Sequence, residues 1–171
     1  MTQTPATTAA VKVLPKHARV VIIGGGILGC SVAYHLGKLG WRDIVLLEQG
    51  QLTCGTTWHA AGLVGQLHGS HASTEFAKYT VELLNTIEAE TGQAPGYRES
   101  GSISIATNPE RLAELKRKAD FASLFDIEAH YLSSEEIERY WPLMNPEGVL
   151  GGIFMPRDGS ANPIDLTMAL A

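Results

Sequence analysis

The residues with the clearest chemical potential lie in a glycine-rich stretch near the start of the sequence. Gly24, Gly26 and Gly29 form a Gly-x-Gly-x-x-Gly pattern directly after a β-branched run. The first glycine permits a tight turn, the second lets a pyrophosphate approach the backbone, and the third allows close helix–strand packing. The pyrophosphate is expected at the helix N-terminus, where free N–H groups and the helix dipole favour an anion. The pattern predicts a dinucleotide site that includes Ile27 and Leu28.

An acidic residue follows at the distance typical of a ribose-binding carboxylate. Glu48, with Gln49 beside it, stands about 20 residues beyond the last glycine, at the end of a second apolar run. A carboxylate there accepts hydrogen bonds from the ribose diol and repels a 2′-phosphate, which disfavours NADP. These residues leave FAD and NAD open, and a glycine-rich turn in an unrelated α/β protein is the alternative to both.

The next segment places a histidine among small residues. It consists of Gly55, Thr56, Thr57, Trp58, His59, Ala60, Ala61, Gly62 and Leu63. Small neighbours let the backbone approach a flat cofactor ring closely. The neutral imidazole of His59 is a nucleophile near pH 7, and the 8-methyl carbon of a flavin becomes electrophilic after losing a proton. A histidine held at that ring edge can form a stable carbon–nitrogen bond, whereas residue type alone favours a packed or exposed loop histidine.

This segment resembles the dimethylglycine and sarcosine dehydrogenase family, FAD-dependent amine oxidoreductases of the D-amino-acid-oxidase fold group. The resemblance runs from about Arg19 to the end of the chain. It includes Glu90-Thr91-Gly92-Gln93, Gly101-Ser102-Ile103 and Asp158-Gly159-x-x-Asn162-Pro163-x-x-Leu166. It implies FAD bonded covalently to His59 and oxidation of a small N-methyl amino acid by hydride transfer to the flavin. Tetrahydrofolate is implied as a carbon acceptor in members that carry a folate-binding domain.

The resemblance also implies a domain organisation. The expected fold class is α/β, with a Rossmann-like βαβ FAD-binding domain followed by the beginning of an α+β substrate domain. Residues 19–95 would form the first part of the FAD-binding domain and residues 96–162 the start of the substrate domain. Residues 163–171 would return to the FAD-binding domain as a helix, and the chain is expected to be an N-terminal fragment. No catalytic residue is assigned, and the electron acceptor stays open.

Hydrophobic periodicity predicts the elements that position these residues. Strands over 19–23 and 43–48, with a helix from the glycine pattern to about Leu39, make a βαβ unit of about 30 residues. Gly29, with Ala33 and Gly37, is expected to give this helix a small-residue face against the sheet. The other predicted helices cover 73–91, 109–125, 133–141 and 163–171, and the other predicted strands cover 102–106 and 149–155.

Composition excludes several classes of protein. Of the 171 residues 44% are hydrophobic and the net charge is −5, which argues against nucleic-acid binding by bulk charge. No apolar run reaches the roughly 20 residues that span a bilayer. Cys30 and Cys54 are not in a Cys-x-x-Cys motif, so neither a zinc cage nor a disulfide framework is encoded. Residues 1–18 are expected to be a disordered leader, with a transit peptide as the alternative, in a cytoplasmic or mitochondrial-matrix protein.

Several other polar residues are assigned structural roles. The spacing of His68 and His71 matches no zinc signature. Cys30 is expected to be a small buried packing residue, and Arg157 and Asp158 are expected to be turn residues. The basic residues of the helix over 109–125 alternate with acidic ones, which is typical of a solvated face.

Two functional alternatives stay open, namely a non-catalytic dinucleotide-binding fragment and an amino-acid oxidase with non-covalent FAD. A conventional NAD dehydrogenase is disfavoured because it would assign no chemical role to His59.

Overall fold

The structure is a computed structural model that describes residues 15–171, so most of the predicted leader, residues 1–14, lies outside the described part. Residues 15–18 form neither helix nor strand. Over the described range the chain forms five α-helices, one 3-10 turn and eight short strands. No helix in this range is long and apolar enough to cross a bilayer.

The predicted βαβ unit is present. Strand β1 (Val20–Ile23) pairs in parallel with β2 (Ile44–Leu47), and helix α1 (Ile27–Lys38) connects them. The helix ends one residue before the predicted Leu39, and Gly40 follows with a φ of +86°, which favours glycine. The β-branched run therefore forms the predicted strand before the glycine turn. It is not buried on both faces as its composition suggests, because Val21 is 53% and Ile23 87% exposed.

The small-residue face of α1 is only partly explained by packing. A Cβ on Gly29 would collide with the backbone carbonyl of Gly24, so the first helical turn and the glycine turn are in direct contact. A Cβ on Gly37 would meet nothing within 4 Å. The predicted close packing on the sheet therefore holds at Gly29, where a Cβ would also lie 3.3 Å from the Ile22 side chain of β1, and is wrong at Gly37.

Helix α2 (His71–Thr91) begins two residues before the predicted start. The Ser70 side chain accepts a hydrogen bond from the Ser73 N–H at its N-terminus, and Gly92 ends it with a φ of +76°. The buried face of the helix consists of Thr74, Val81, Leu83, Leu84 and Ile87. The Phe76 side chain lies off this face and is 73% exposed.

Two small antiparallel sheets complete the strands. The first, ordered β3-β8-β4, contains β3 (Leu63–Val64), β8 (Gly159–Ala161) and β4 (Tyr97–Arg98). The second, ordered β5-β7-β6, contains β5 (Ser102–Ala106), β7 (Gly151–Met155) and β6 (His130–Leu132). The prediction of β5 is confirmed, and β7 begins two residues later than predicted. Strands β3, β4, β6 and β8 were not predicted, because two or three residues are too few to show alternation.

Three further helices complete the fold. They are α3 (Pro109–Ser123), α4 (Ser134–Tyr140) and α5 (Pro163–Ala169). Helix α3 packs on β5 and β7, where Leu115, Ala119 and Ile153 form part of the larger core. The predicted capping box of Ser133 and Glu136 is present at the start of α4. Helix α5 packs against α1 and α2, which returns the end of the chain to the βαβ unit.

The contact at Gly29 predicts opposite effects for two substitutions in one helix. Gly29→Ala should lower the free energy of unfolding by about 1–3 kcal/mol, because its methyl group would overlap a backbone carbonyl. Gly37→Ala should raise it by about 0.5–1 kcal/mol, since the site is open and alanine favours helix. Urea unfolding of the longest polypeptide that the gene encodes measures both. Equal effects of the two substitutions would contradict the packing described here.

Candidate cofactor site

The glycine turn connects β1 to α1 and requires glycine at its first position. Gly24 has a φ of +108°, and its N–H donates to the Leu47 carbonyl of β2 at 2.8 Å. Gly26 is the N-cap of α1, and a Cβ on it would lie 2.9 Å from the Thr57 hydroxyl. The second glycine therefore makes room for a side chain of the histidine segment, in addition to the access for a pyrophosphate that its position predicts.

The Glu48 carboxylate holds two turns together at the end of β2. One oxygen accepts a hydrogen bond from the Gly25 N–H at 2.6 Å, and the other accepts one from the Gly50 N–H at 2.9 Å. These backbone donors, Gly25 first, lower the pKa of Glu48, so the carboxylate is ionised near neutral pH. A carboxylate has about four acceptor sites, so each oxygen retains capacity for a ribose hydroxyl.

Thr57 links the histidine segment to the first turn of α1. Its hydroxyl oxygen accepts a hydrogen bond from the Ile27 N–H at 3.0 Å, and the residue is buried. A second contact runs from the Thr53 N–H to the Gly25 carbonyl at 3.0 Å. The sequence placed Thr57 in the cofactor segment but gave no sign of this contact, because the two partners are 30 residues apart.

His59 closes a 3-10 turn that spans Thr57–His59. Its N–H donates to the Thr56 carbonyl at 3.1 Å, and its ring lies against the Trp58 ring with centroids 3.8 Å apart. The imidazole is exposed, as are Gly55 and Thr56 earlier in the loop. The histidine is therefore accessible and sits two residues from the side chain that contacts α1.

A cavity of about 200 Å³ lies beside the N-terminus of α1, between the histidine segment and β8. Its lining residues from the predicted site are Ile27, Thr57, Ala60, Gly62 and Leu63. Leu28, Gln49 and Ala61 are exposed and do not line this cavity. The structure thus brings the glycine pattern and the histidine segment to one place through a subset of the predicted residues.

These features fit a dinucleotide such as FAD. The first intrahelical bond of α1 runs from the Cys30 N–H to the Gly26 carbonyl, so the amides before Cys30 have no acceptor within the helix. Thr57 satisfies the Ile27 amide, and the Leu28 and Gly29 amides remain at the helix N-terminus as donors for an anion. The Glu48 carboxylate stands at the end of the adjacent strand, where a ribose diol would meet it.

The two cysteines lie on either side of Glu48. Cys30 is fully buried, and burial together with the Glu48 charge raises the pKa of its thiol, which confirms it as a packing residue. Cys54 is exposed, with its sulfur 4.0 Å from a Glu48 oxygen. Among residues 15–171 there is no cluster of His, Cys, Asp and Glu side chains that could hold a metal ion.

Three other assignments from the sequence can be compared with the structure. The basic residues of α3 lie on a mostly exposed face, as predicted. Arg111 pairs at 2.7 Å with Glu114, three residues further along the helix. Arg157 lies in the turn after β7, also as predicted. Asp158 closes the same turn, as predicted, because its N–H donates to the Met155 carbonyl at 3.3 Å. Its side chain has a further role that was not predicted, since it is only 7% exposed and accepts two hydrogen bonds from distant segments. Its position between the β7–β8 turn and β8 carries the side chain inward, which the local sequence does not reveal.

Comparison with known proteins supports these features. The chain is 44% identical over 155 residues to dimethylglycine dehydrogenase of Rattus norvegicus, covering 91% of this chain and 18% of that protein. It is 42% identical over 159 residues to sarcosine dehydrogenase of Homo sapiens, covering 92% of this chain and 17% of that protein. It is also 41% identical over 158 residues to the pyruvate dehydrogenase phosphatase regulatory subunit of Mus musculus, covering 92% of this chain and 19% of that protein.

Solved structures and family patterns agree with these relatives. The fold matches L-proline dehydrogenase from P. horikoshii with a TM-score of 0.85 and 26% identity, over 92% of this chain and 41% of that one. The chain spans less than a fifth of the length of each of the three relatives named above. The pattern of one family, DAO, described as FAD dependent oxidoreductase, matches residues 19–171. The chain therefore belongs to the DAO family of FAD-dependent oxidoreductases.

Proposed function

We propose that this chain carries the FAD-binding part of an enzyme that oxidises small N-methyl amino acids, with the flavin tethered at His59. The observation that supports this most directly is the hydrogen bond between the Thr57 hydroxyl and the Ile27 N–H. It holds the turn that contains His59 at the helix N-terminus, next to the glycine pattern that typifies a dinucleotide site. A nucleophilic side chain is thereby held beside the site of a bound cofactor.

Each residue of the site has a distinct role in this proposal. Gly24 and Gly26 shape the turn that receives the pyrophosphate, and Gly29 lets α1 approach that turn. Glu48 binds the adenosine ribose with its remaining acceptor capacity. His59 would hold the flavin through a bond from an imidazole nitrogen to the methyl carbon at the ring edge. As that bond formed, the methyl carbon and the imidazole would each lose a proton, and the two electrons released would reduce the flavin, which the enzyme's electron acceptor would then reoxidise. Bound FAD supplies the electron sink, which takes a hydride from the N-methyl carbon of the substrate and leaves an iminium for hydrolysis.

The substrate class is proposed from the relatives, because the chain spans less than a fifth of their length. Two of them are named for dimethylglycine and sarcosine, which are tertiary and secondary N-methyl amines. The division into an FAD-binding part over 19–95 and 163–171, with the start of a substrate domain over 96–162, belongs to this proposal. Tetrahydrofolate as an acceptor of the released carbon is a further part of it, for the full-length protein.

A second candidate is a protein that binds FAD without turnover. One relative at 41% identity is named as a regulatory subunit of a phosphatase, so similarity of this degree extends beyond dehydrogenases. A non-covalent amino-acid oxidase is the other alternative. The tether at His59 distinguishes the first proposal from both.

Glu48→Gln is expected to weaken FAD binding at least about tenfold at neutral pH, because an amide nitrogen cannot accept the backbone hydrogen bonds that the carboxylate accepts. The pKa of Glu48 is lowered, so its contribution is complete above the ordinary glutamate pKa and is lost as pH falls through the lowered value. Titration of the apoprotein with FAD from neutral to acid pH should show the two curves converging. Glu90→Gln, a remote carboxylate with a lowered pKa, should leave FAD affinity unchanged.

His59→Ala should abolish covalent flavin, because no other residue is proposed as the nucleophile. The longest polypeptide that the gene encodes is acid-precipitated, washed and viewed under ultraviolet light on a denaturing gel. The wild type and His71→Ala, another exposed histidine, should fluoresce, and His59→Ala should not. A yellow native wild type that loses its colour on precipitation would exclude the tether and favour a non-covalent oxidase. No flavin in the native wild type would exclude the enzymatic proposal.

A further inference from the structure

Asp158 is the one charged side chain that is buried among residues 15–171. One of its oxygens accepts a hydrogen bond from the Gln66 N–H at 2.9 Å, and the other accepts one from the Ser102 hydroxyl at 2.6 Å. None of the ion pairs formed in the described part of the chain includes it. A buried carboxylate lowers stability unless its hydrogen bonds are satisfied. Its presence here calls for a geometric role.

The strand next to Asp158 is too short to fix its own position. Strand β3 has two residues, and its ladder with β8 consists of the pairs Leu63–Ser160 and Val64–Gly159. Burial of one face normally opposes a register slip, because a shift of one residue exchanges the two faces. Leu63 is 83% exposed, so burial of this side chain does not oppose a slip. An additional contact is needed to specify the pairing.

Asp158 provides that contact. Asp158 directly precedes Gly159, and its partner Gln66 is the second residue after Val64. The hydrogen bond from the Gln66 N–H to the Asp158 carboxylate therefore continues the β3–β8 ladder beyond its last backbone pair. At the other end of the ladder the Ala161 N–H donates to the Gly62 carbonyl at 2.8 Å. A slip of one residue would move the Gln66 amide by about 3.3 Å along the strand, beyond hydrogen-bond reach of the carboxylate.

The register of β3 bears directly on His59. Only Ala60 and Ala61 separate His59 from Gly62, where the ladder contacts begin. We propose that Asp158 is a positioning residue that fixes the register of β3 and thereby the place of His59 relative to the bound flavin. The effect on the tether rests on the proposed function, whereas the register itself does not.

Two conservative variants separate geometry from charge. Asp158→Asn keeps an oxygen for the Gln66 amide and can donate its NH2 group to the Ser102 oxygen, so both contacts survive without the charge. Asp158→Glu keeps the charge but moves the carboxylate by one methylene. Asp158→Ala removes both contacts, and Ser102→Ala removes only the contact that does not involve Gln66.

The first measurement is amide hydrogen exchange over residues 60–67 in the longest polypeptide that the gene encodes. Loss of the bond to the carboxylate should speed exchange of the Gln66 amide at least about tenfold in Asp158→Glu and Asp158→Ala. Asp158→Asn and Ser102→Ala should exchange like the wild type. If Asp158→Ala does not fold, the Asn and Glu variants alone decide the result. Faster exchange in Asn than in Glu would show that charge matters and would overturn the proposal.

The second measurement is the fraction of bound flavin that stays attached after acid precipitation. This attached fraction should fall several-fold in Asp158→Glu, the variant in which exchange is fast. The total amount of bound FAD should be retained, because the hydrogen bonds of the glycine turn and Glu48 do not involve Asp158. An unchanged attached fraction in a Glu variant with fast exchange would overturn the link to His59. If the wild type has no covalent flavin, the proposed tether fails, while the exchange data still decide the register.

Discussion

The Glu48 carboxylate is the contact on which the arrangement of the site depends. It accepts backbone hydrogen bonds from the turn after β1 and from the turn after β2, so one side chain fixes both turns. Helix α1 follows the first turn and the histidine segment follows the second. The carboxylate holds both backbone turns close together by accepting their N–H groups. A further hydrogen bond, between Thr57 and Ile27, joins the histidine segment to α1. The local order of the site therefore rests on a few polar contacts beside the apolar cluster against which Ile27, Leu46 and Leu52 pack.

Much of the fold around the site could be predicted from the sequence, because these elements are determined by residues close together in the chain. The β-branched run, the glycine pattern, Gly40 and the Ser133 capping box each act within a few residues. What could not be predicted depends on contacts between distant residues. Strands β3 and β8 exist only because they pair across the chain, and the burial of Asp158 follows from segments that its neighbours in sequence do not specify. Gly37 shows the opposite error, since a regular spacing suggested a contact that the helix does not make.

The two ends of the proposed cofactor site, the ribose end at Glu48 and the ring end at His59, differ in how far along the chain their contacts reach. The ribose end is built by residues within one βαβ unit, where Glu48 and Gly25 are 23 residues apart. The ring end relies on β8, and the Asp158–Gln66 bond joins residues 92 positions apart. Long-range contacts form late, because the chain must first close a long loop. The ribose end can therefore order before the part of the fold that locates His59.

The contrast between the two cysteines has a practical consequence. Cys30 is sealed in the core, while Cys54 is exposed beside the Glu48 carboxylate. A maleimide reagent added to the native protein will label Cys54 and leave Cys30 untouched, since these are the two cysteines of the chain. A nucleotide whose ribose sits on Glu48 will shield that thiol. The natural sequence thus contains its own chemical reporter of site occupancy, readable by the labelling rate without any engineered probe.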